Sequence, residues 1–331
     1  MRTETLQSEL QSALGATYTI ERELPRGGMS RVFVAVELAL RRRVVIKVLD
    51  PELAASLSAE RFKREITLAA RLQHPLIVPL LNAGQAGTSL YYTMPLVDGE
   101  SLRERINRER PMAFPEIVRI LEDVASAIAY AHDEGIVHRD VKPENVMFFH
   151  DRAVVLDFGI GKALSAAQRD DGEYKITQAG VSLGTPAYIA PEQAAGDPTL
   201  DHRADIYAVG VVAYEMITGH PPFRGRTTKD VMAAHAYQPL EPIATRRRDV
   251  PHALAAIVTR CLEKEPARRP PSAHEIVRAL APAPPAGAAP AGGGSALARI
   301  PIWVPWVIAA LASAAALTLA MMRGGSGGGA P

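Results

Sequence analysis

Apolar residues change their spacing about a third of the way along this chain. Between Tyr18 and Tyr92 they come in short runs rich in β-branched residues. Arg31-Val32-Phe33-Val34-Ala35-Val36 and Val44-Val45-Ile46-Lys47-Val48-Leu49 are two such runs, and both predict strands. One stretch interrupts them. Over residues 59–72, Phe62, Ile66, Ala69 and Ala70 form the apolar stripe of a helix, with Glu65 beside it. From Ser101 onward helical spacing dominates. Pro115 suits a first helical turn, and Ile117, Ile120, Leu121, Val124 and Ile128 follow at intervals of three and four. A β-rich first third before a helical remainder predicts an α+β fold of two lobes with a cleft between them.

The pattern then changes twice more. Residues 281–295 contain only Ala, Pro, Gly and Ser, too little apolar surface to form a core, and read as a semi-extended linker. Ile300 to Met322 runs without a charge between Arg299 and Arg323. At ~1.5 Å per residue such a helix reaches roughly 34 Å, enough to cross a hydrocarbon layer about 30 Å thick. Trp303 and Trp306 fall at one end, where an interfacial belt is expected, and Pro305 lies in the first turns. The expected layout is an N-terminal extension over 1–17, a globular domain over 18–280, a linker over 281–299, a transmembrane helix over 300–322 and a short external tail over 323–331. Met1 to Ala16 has charges among its apolar residues and no export-type hydrophobic core. The expected orientation therefore keeps the large domain cytoplasmic, on a single-pass anchor in the inner (plasma) membrane. Small residues around Ala310 to Ala316 would allow two such helices to approach, so a homodimer is possible.

Composition narrows the function classes. In 331 residues, 37 lysines and arginines face 36 acids, so the basic excess of a general nucleic-acid binder is absent. The one cysteine, Cys261, excludes an intramolecular disulfide and cysteine-rich zinc sites, and its periodic surroundings mark it as a core residue. The chemistry concentrates in His138-Arg139-Asp140-Val141-Lys142-Pro143-Glu144-Asn145 and, shortly after, Asp157-Phe158-Gly159. A carboxylate, an ammonium, an amide and a second carboxylate so close together suit phosphoryl transfer, which needs a proton acceptor, metal ligands and a cation for phosphate charge. Asp140 can accept a hydroxyl proton, Asn145 and Asp157 offer hard oxygens to Mg²⁺, and Lys142 can lie along the phosphate.

With these motifs in this order, residues 18–280 resemble a eukaryotic-type (Hanks) Ser/Thr protein kinase, in the style of the bacterial membrane-anchored branch. The resemblance implies a two-lobed fold: an N-lobe over 18–94, a hinge over 95–99 and a C-lobe over 100–280. It implies ATP with Mg²⁺, or Mn²⁺, as cofactors. Leu24-Pro25-Arg26-Gly27-Gly28-Met29-Ser30-Arg31-Val32 is similar to the family's Gly-rich loop, so Leu24, Gly27, Gly28 and Val32 are implied as nucleotide contacts. Pro25 and Ser30 depart from the usual glycines, and Pro25 removes a backbone donor. Lys47 corresponds to the strand lysine that meets the α/β-phosphates, with Glu65 as its implied ion partner. Thr93 to Gly99 is similar to the hinge, with Met94 as gatekeeper and the Pro95 carbonyl and Val97 N–H facing the adenine edge.

The catalytic loop implies Asp140 as base, Lys142 as phosphate-steadying cation, and Asn145 and Asp157 as metal ligands. His138 is expected to be structural, packing beneath Phe158. Gly184-Thr185-Pro186-Ala187-Tyr188-Ile189-Ala190-Pro191-Glu192 resembles the end of an activation segment, where a protein substrate docks; Thr185 belongs to that surface. Glu192 is expected to pair with Arg269, and Asp205 to brace the catalytic-loop backbone. Arg139 suits a phosphorylated residue on the activation segment, with Thr177 the first choice and Ser182 the second. Two other classes compete with an active protein kinase: a membrane-tethered pseudokinase acting as a nucleotide-binding or scaffolding module, and a kinase-like enzyme for a small metabolite.

Overall fold

The computed structural model describes residues 3–25, 30–49, 59–158 and 186–281. Contacts divide the chain after Ala281. The first element is a helix, α1 (Thr3–Leu14), where the sequence predicted only an extension. Leu6, Leu10 and Leu14 recur every fourth residue, and all three are buried against Tyr18, Ile20, Phe33 and Ile46. The Gln11 amide accepts from the Ile20 N–H at 2.8 Å and donates to the Tyr18 carbonyl at 3.2 Å. It thereby serves backbone groups on the first strand, which lies at the edge of the sheet.

Strands β1 (Tyr18–Glu23), β2 (Ser30–Glu37) and β3 (Arg42–Leu49) follow as an antiparallel meander. Helix α2 (Ala59–Ala69) comes next, three residues shorter than its apolar stripe suggested. Strands β4 (Asn82–Ala86) and β5 (Ser89–Pro95) complete a five-stranded sheet in the order β1-β2-β3-β5-β4. Alternation along the strands sends side chains to opposite faces. One face packs on α1; the other, with Val45, Leu90, Tyr92 and Met94, meets Phe62 and Ile66 of α2.

After the hinge the chain turns helical. Helix α3 (Leu102–Arg108) opens on a capping box in which Ser101 and Glu104 exchange backbone bonds. Helix α4 (Phe114–Asp133) carries Pro115 in its first turn and buries its 117, 120, 121, 124 and 128 positions. A 3₁₀ turn (Pro143–Asn145) leads into the hairpin β6 (Val146–Phe149) and β7 (Arg152–Val155). The Val78 N–H to Val155 carbonyl bond, at 3.0 Å, and the Val155 N–H to Leu76 carbonyl bond, at 2.8 Å, tie this hairpin to the segment leading into β4.

Beyond it lie a second 3₁₀ turn (Pro186–Tyr188), the short α5 (Pro191–Ala194) and α6 (Arg203–Thr218). The remainder is α7 (Thr228–Tyr237), α8 (Ile243–Arg246), α9 (His252–Cys261), a third 3₁₀ turn (Pro266–Arg268) and α10 (Ala273–Leu280). Helix α6 is buried on every side from Ala204 to Ile217, so it forms the axis of the helical lobe. Gly210 lets it approach α9 closely: a Cβ there would lie 2.6 Å from the Cys261 Cβ. Cys261 is buried in the same contact, and burial pushes its thiol up to about 12, which keeps it protonated and inert. Among the described residues no helix is long and apolar enough to cross a membrane; residues 300–322 lie outside them.

Candidate active site

The catalytic loop is shaped from behind by one buried carboxylate. Asp205, in the first turn of α6, accepts from the His138 N–H at 2.8 Å and from the Arg139 N–H at 2.7 Å. His132 of α4 touches the same carboxylate at 2.8 Å. Burial alone would raise the Asp205 carboxyl, but the His132 contact and the donated N–H groups hold it below its ordinary value. Anchored in this way, Arg139 adopts φ +68°, a left-handed conformation costly for a side chain with a Cβ. The Gln193 amide of α5 caps the strained residue by donating to its carbonyl at 2.9 Å.

His138 is fully buried, and its ring stands edge-on to Phe158 with centroids 4.6 Å apart. The Asp140 N–H reaches its Nδ1 at 3.2 Å, which makes that nitrogen an acceptor. Nε2 lies 2.8 Å from the Leu156 carbonyl and so carries the proton. Both nitrogens are committed to backbone, and His138 acts as a strut between the catalytic loop and the segment that presents Asp157.

Asp140 is the open member of the group, with its side chain 39% exposed. Lys142 Nζ lies 2.7 Å from its Oδ2, and the Asn145 amide nitrogen contacts the same oxygen at 3.0 Å and the Asp140 carbonyl at 2.8 Å. Among the described residues both side-chain contacts fall on Oδ2, which leaves Oδ1 as the oxygen offered to a substrate hydroxyl. With its nitrogen committed, Asn145 has its amide oxygen for a cation. The Leu156 N–H donates to the Asn145 carbonyl at 2.9 Å, so the two metal-ligand candidates are tied through adjacent backbone.

Asp157 also sits at positive φ, +67°, and is buried. That turn brings its carboxylate onto the Lys47 ammonium of β3, an ion pair across the cleft. Burial would raise the Asp157 carboxyl, yet Lys47 and the Tyr92 hydroxyl together keep it below its ordinary value and therefore charged. The expected partner of Lys47 was Glu65. Glu65 is buried on α2 and has an interaction of its own, but among the described residues the ion partner of Lys47 is Asp157. The reason is the left-handed turn at Asp157, which carries its carboxylate to the lysine.

The nucleotide-side residues frame the cleft from above. The Leu24 N–H bonds the Val32 carbonyl at 2.8 Å, so the two residues face each other at the mouth of the Gly-rich loop. Glu23 and Arg31 close that mouth with two contacts of 2.7 Å, a fork-to-carboxylate clamp absent from the sequence expectations. Met94 is buried in β5, and Pro95 is the last residue of that strand. Val97 packs against the cluster that holds Val45 and Met94. Gly27, Gly28, Gly159, Thr177, Ser182 and Thr185 lie outside the described residues.

In the helical lobe, Arg269 is fully buried and grips Glu192 at 2.6 and 2.8 Å. It also donates to the carbonyls of Arg203, Glu263 and Lys264. Arg103 of α3 was not anticipated. It reaches Glu144 of the catalytic loop at 2.8 Å, Glu215 of α6 at 2.8 Å and the Tyr188 hydroxyl. Its sequence surroundings, Leu102-Arg103-Glu104-Arg105, read as an ordinary solvated helix face; only the tertiary fold identifies it.

A bracing carboxylate beneath a loop, a base beside a lysine and an amide, and a buried carboxylate on a strand lysine define a phosphotransferase cleft of the protein kinase type. A protein kinase domain is matched over residues 18–280, and the chain belongs to that family. It is 39% identical over 283 residues to Serine/threonine-protein kinase pkn3 of Myxococcus xanthus, covering 83% of this chain and 51% of the relative. To Serine/threonine-protein kinase PknB of Mycolicibacterium smegmatis it is 40% identical over 269 residues, covering 80% of this chain and 42% of the relative. To PknB of Mycobacterium tuberculosis it is 38% identical over 271 residues, with 80% and 42% covered. The chain thus aligns with about half the length of these bacterial relatives.

Proposed function

We propose that this chain is an active serine/threonine protein kinase that transfers the γ-phosphoryl group of ATP to serine or threonine hydroxyls of proteins, in bacterial signalling. The observation that carries the reading is the linkage of Asp140, Lys142 and Asn145 to Asp157 and Lys47 through two hydrogen bonds on one carboxylate, one backbone bond and one ion pair. The donor set fits Mg²⁺ or Mn²⁺: a charged buried carboxylate and an amide oxygen are hard ligands, and the ion pair with Lys47 supports an Asp157 carboxylate that stays charged. When bound, metal and ATP supply the phosphoryl group and the positive charge that offsets it. Asp140 orients the incoming hydroxyl through Oδ1 and takes its proton. Lys142, held against Asp140, neutralises phosphate charge on the substrate side, and Lys47 does so on the nucleotide side. The hinge backbone at Pro95 and Val97 would receive the adenine.

A regulatory role belongs to the same proposal. Arg139, whose backbone is held by Asp205 and Gln193, would clasp a phosphate on the activation segment, with Thr177 the preferred acceptor and Ser182 the second. The grip of Arg269 on Glu192 supports a docking surface for protein rather than for a small metabolite. Residues 300–322 would anchor the protein in the inner (plasma) membrane, with the kinase domain on the cytoplasmic side and room for a homodimer. Cell fractionation tests the anchor: the full chain should pellet with membranes, a chain ending at Ala281 should not, and equal behaviour of the two would remove the anchor from the proposal.

The test of activity is transfer of labelled phosphate from ATP with Mg²⁺, followed by mapping of the labelled peptides. Wild type should label itself between Ile160 and Leu183 and label added protein, and Asp140→Asn and Lys47→Met should do neither. Nucleotide binding without any transfer by wild type would favour the pseudokinase, and labelling only of added metabolites the small-molecule enzyme.

A further inference from the structure

Tyr92 lies inside the sheet, directly opposite Lys47 in the β3–β5 register. Residues opposite each other in an antiparallel pair share a face, so both side chains project from the sheet toward the cleft. They end on the same group. Lys47 meets Asp157 Oδ2, and the Tyr92 hydroxyl donates to Asp157 Oδ1 at 2.9 Å. The neighbouring Tyr91 belongs to the opposite face and packs with the α1 cluster. A tyrosine at this strand position is easily read as apolar filling, and its ring does pack with Val45, Phe62 and Met94. The hydroxyl is a separate feature: it is a buried donor aimed at a carboxylate that must serve a cation.

We propose that Tyr92 is a positioning residue for the metal-binding carboxylate, pinning Oδ1 of Asp157 so that Oδ2 is the oxygen presented to a divalent cation. Two observations support this. Asp157 sits at φ +67°, a conformation that must be held by surrounding contacts. Its two oxygens are in different hands: a mobile ammonium on a flexible stem holds Oδ2, while Oδ1 is held by a phenol on a rigid two-torsion side chain, 1% exposed. When Lys47 turns to nucleotide phosphate, Tyr92 remains as the contact that fixes the carboxylate plane. Without it the carboxylate can rotate about its Cβ–Cγ bond, and metal affinity falls.

This inference rests on the kinase reading above, and its test has a readout independent of catalysis. Calorimetric titration of ADP into the full chain, with and without Mg²⁺, measures how much the metal strengthens nucleotide binding. Wild type should show a clear gain on adding Mg²⁺. Tyr92→Phe keeps the ring and removes one charge-assisted hydrogen bond, so that gain should shrink roughly tenfold while metal-free ADP affinity is unchanged. Tyr91→Phe, on the other face, should keep the full gain. An undiminished gain in Tyr92→Phe would overturn the proposal. So would an equal weakening with and without metal, which marks a purely structural role, or an increased gain, which marks a contact that holds Asp157 away from metal. Absence of any Mg²⁺-dependent gain in wild type would instead sink the kinase reading on which it stands.

Discussion

At the level of single residues, the site depends on groups whose charges are fixed by their neighbours. Among the described residues Lys142 and Asn145 both take Oδ2 of Asp140, which leaves Oδ1 as its open oxygen. Asp140→Asn removes the proton acceptor but preserves shape, so turnover should fall about 10²- to 10⁴-fold with nucleotide affinity retained, as steady-state kinetics and titration would show. Lys47→Met has a different expected signature: it strands the buried Asp157 charge, so both turnover and the melting temperature should drop. The meeting of Asp140, Lys142 and Asn145 was legible in the sequence because they belong to one short local motif. The choice of partner was not. Lys47 was expected on Glu65, and it meets Asp157 because a left-handed backbone turn, unreadable from residue types, carries that carboxylate across. Tyr92 was missed for a related reason, since its contact depends on cross-strand register and not on any spacing along the chain.

Elements show the same division between local and tertiary information. Helix α4 was readable from its stripe and from Pro115, and β2 and β3 from their β-branched runs. The spacing of Leu6, Leu10 and Leu14 was equally visible, yet α1 was passed over because its apolar stripe is one residue wide and charges lie around it. Arg103 illustrates what elements do together. From α3 it links the catalytic loop through Glu144, the second 3₁₀ turn through Tyr188 and the central helix α6 through Glu215. Glu215 is buried, and the Tyr188 hydroxyl donates to it as well. Burial first, then the Glu215 charge, pushes the Tyr188 phenol far above its ordinary value, so it remains a donor at any working pH. Arg103→Ala would leave Glu215 buried without its cation, a loss on the order of 3–5 kcal/mol. Chemical denaturation should show that loss, and adding Glu215→Met should recover part of it. If the double variant were no more stable than Arg103→Ala, the contribution of Arg103 would lie in packing and not in charge.

For the whole domain, stability and function share the helical lobe, and its buried histidine ties both to pH. His235 of α7 is fully buried between Tyr207 of α6 and Phe223; the Tyr207 hydroxyl lies 2.8 Å from its Nδ1, and the Phe223 ring stands edge-on at 4.9 Å. Lys264, stacked over Phe223, donates to the His235 carbonyl at 2.6 Å and adds positive charge nearby. Burial first, and the Lys264 charge second, push the imidazole from about 6.5 down to about 4. The native state therefore keeps His235 neutral where the unfolded chain already binds a proton. Stability from this source is fully present above about pH 6.5, declines as the pH falls, and levels off below about pH 4. The complete loss amounts to on the order of 3 kcal/mol. Urea unfolding measured across that window should show the decline in wild type, and His235→Asn should flatten it because an amide does not titrate there. An unchanged slope in that variant would assign the decline to groups other than His235; Asp205 beneath the catalytic loop, held below its ordinary value, adds its own loss only at more acid pH than this window. Since Asp205 holds both the His138 and Arg139 N–H groups, its protonation would loosen the loop that carries Asp140. The two origins can thus be separated: loss through His235 lowers stability with turnover per folded molecule intact, whereas loss through Asp205 lowers both together.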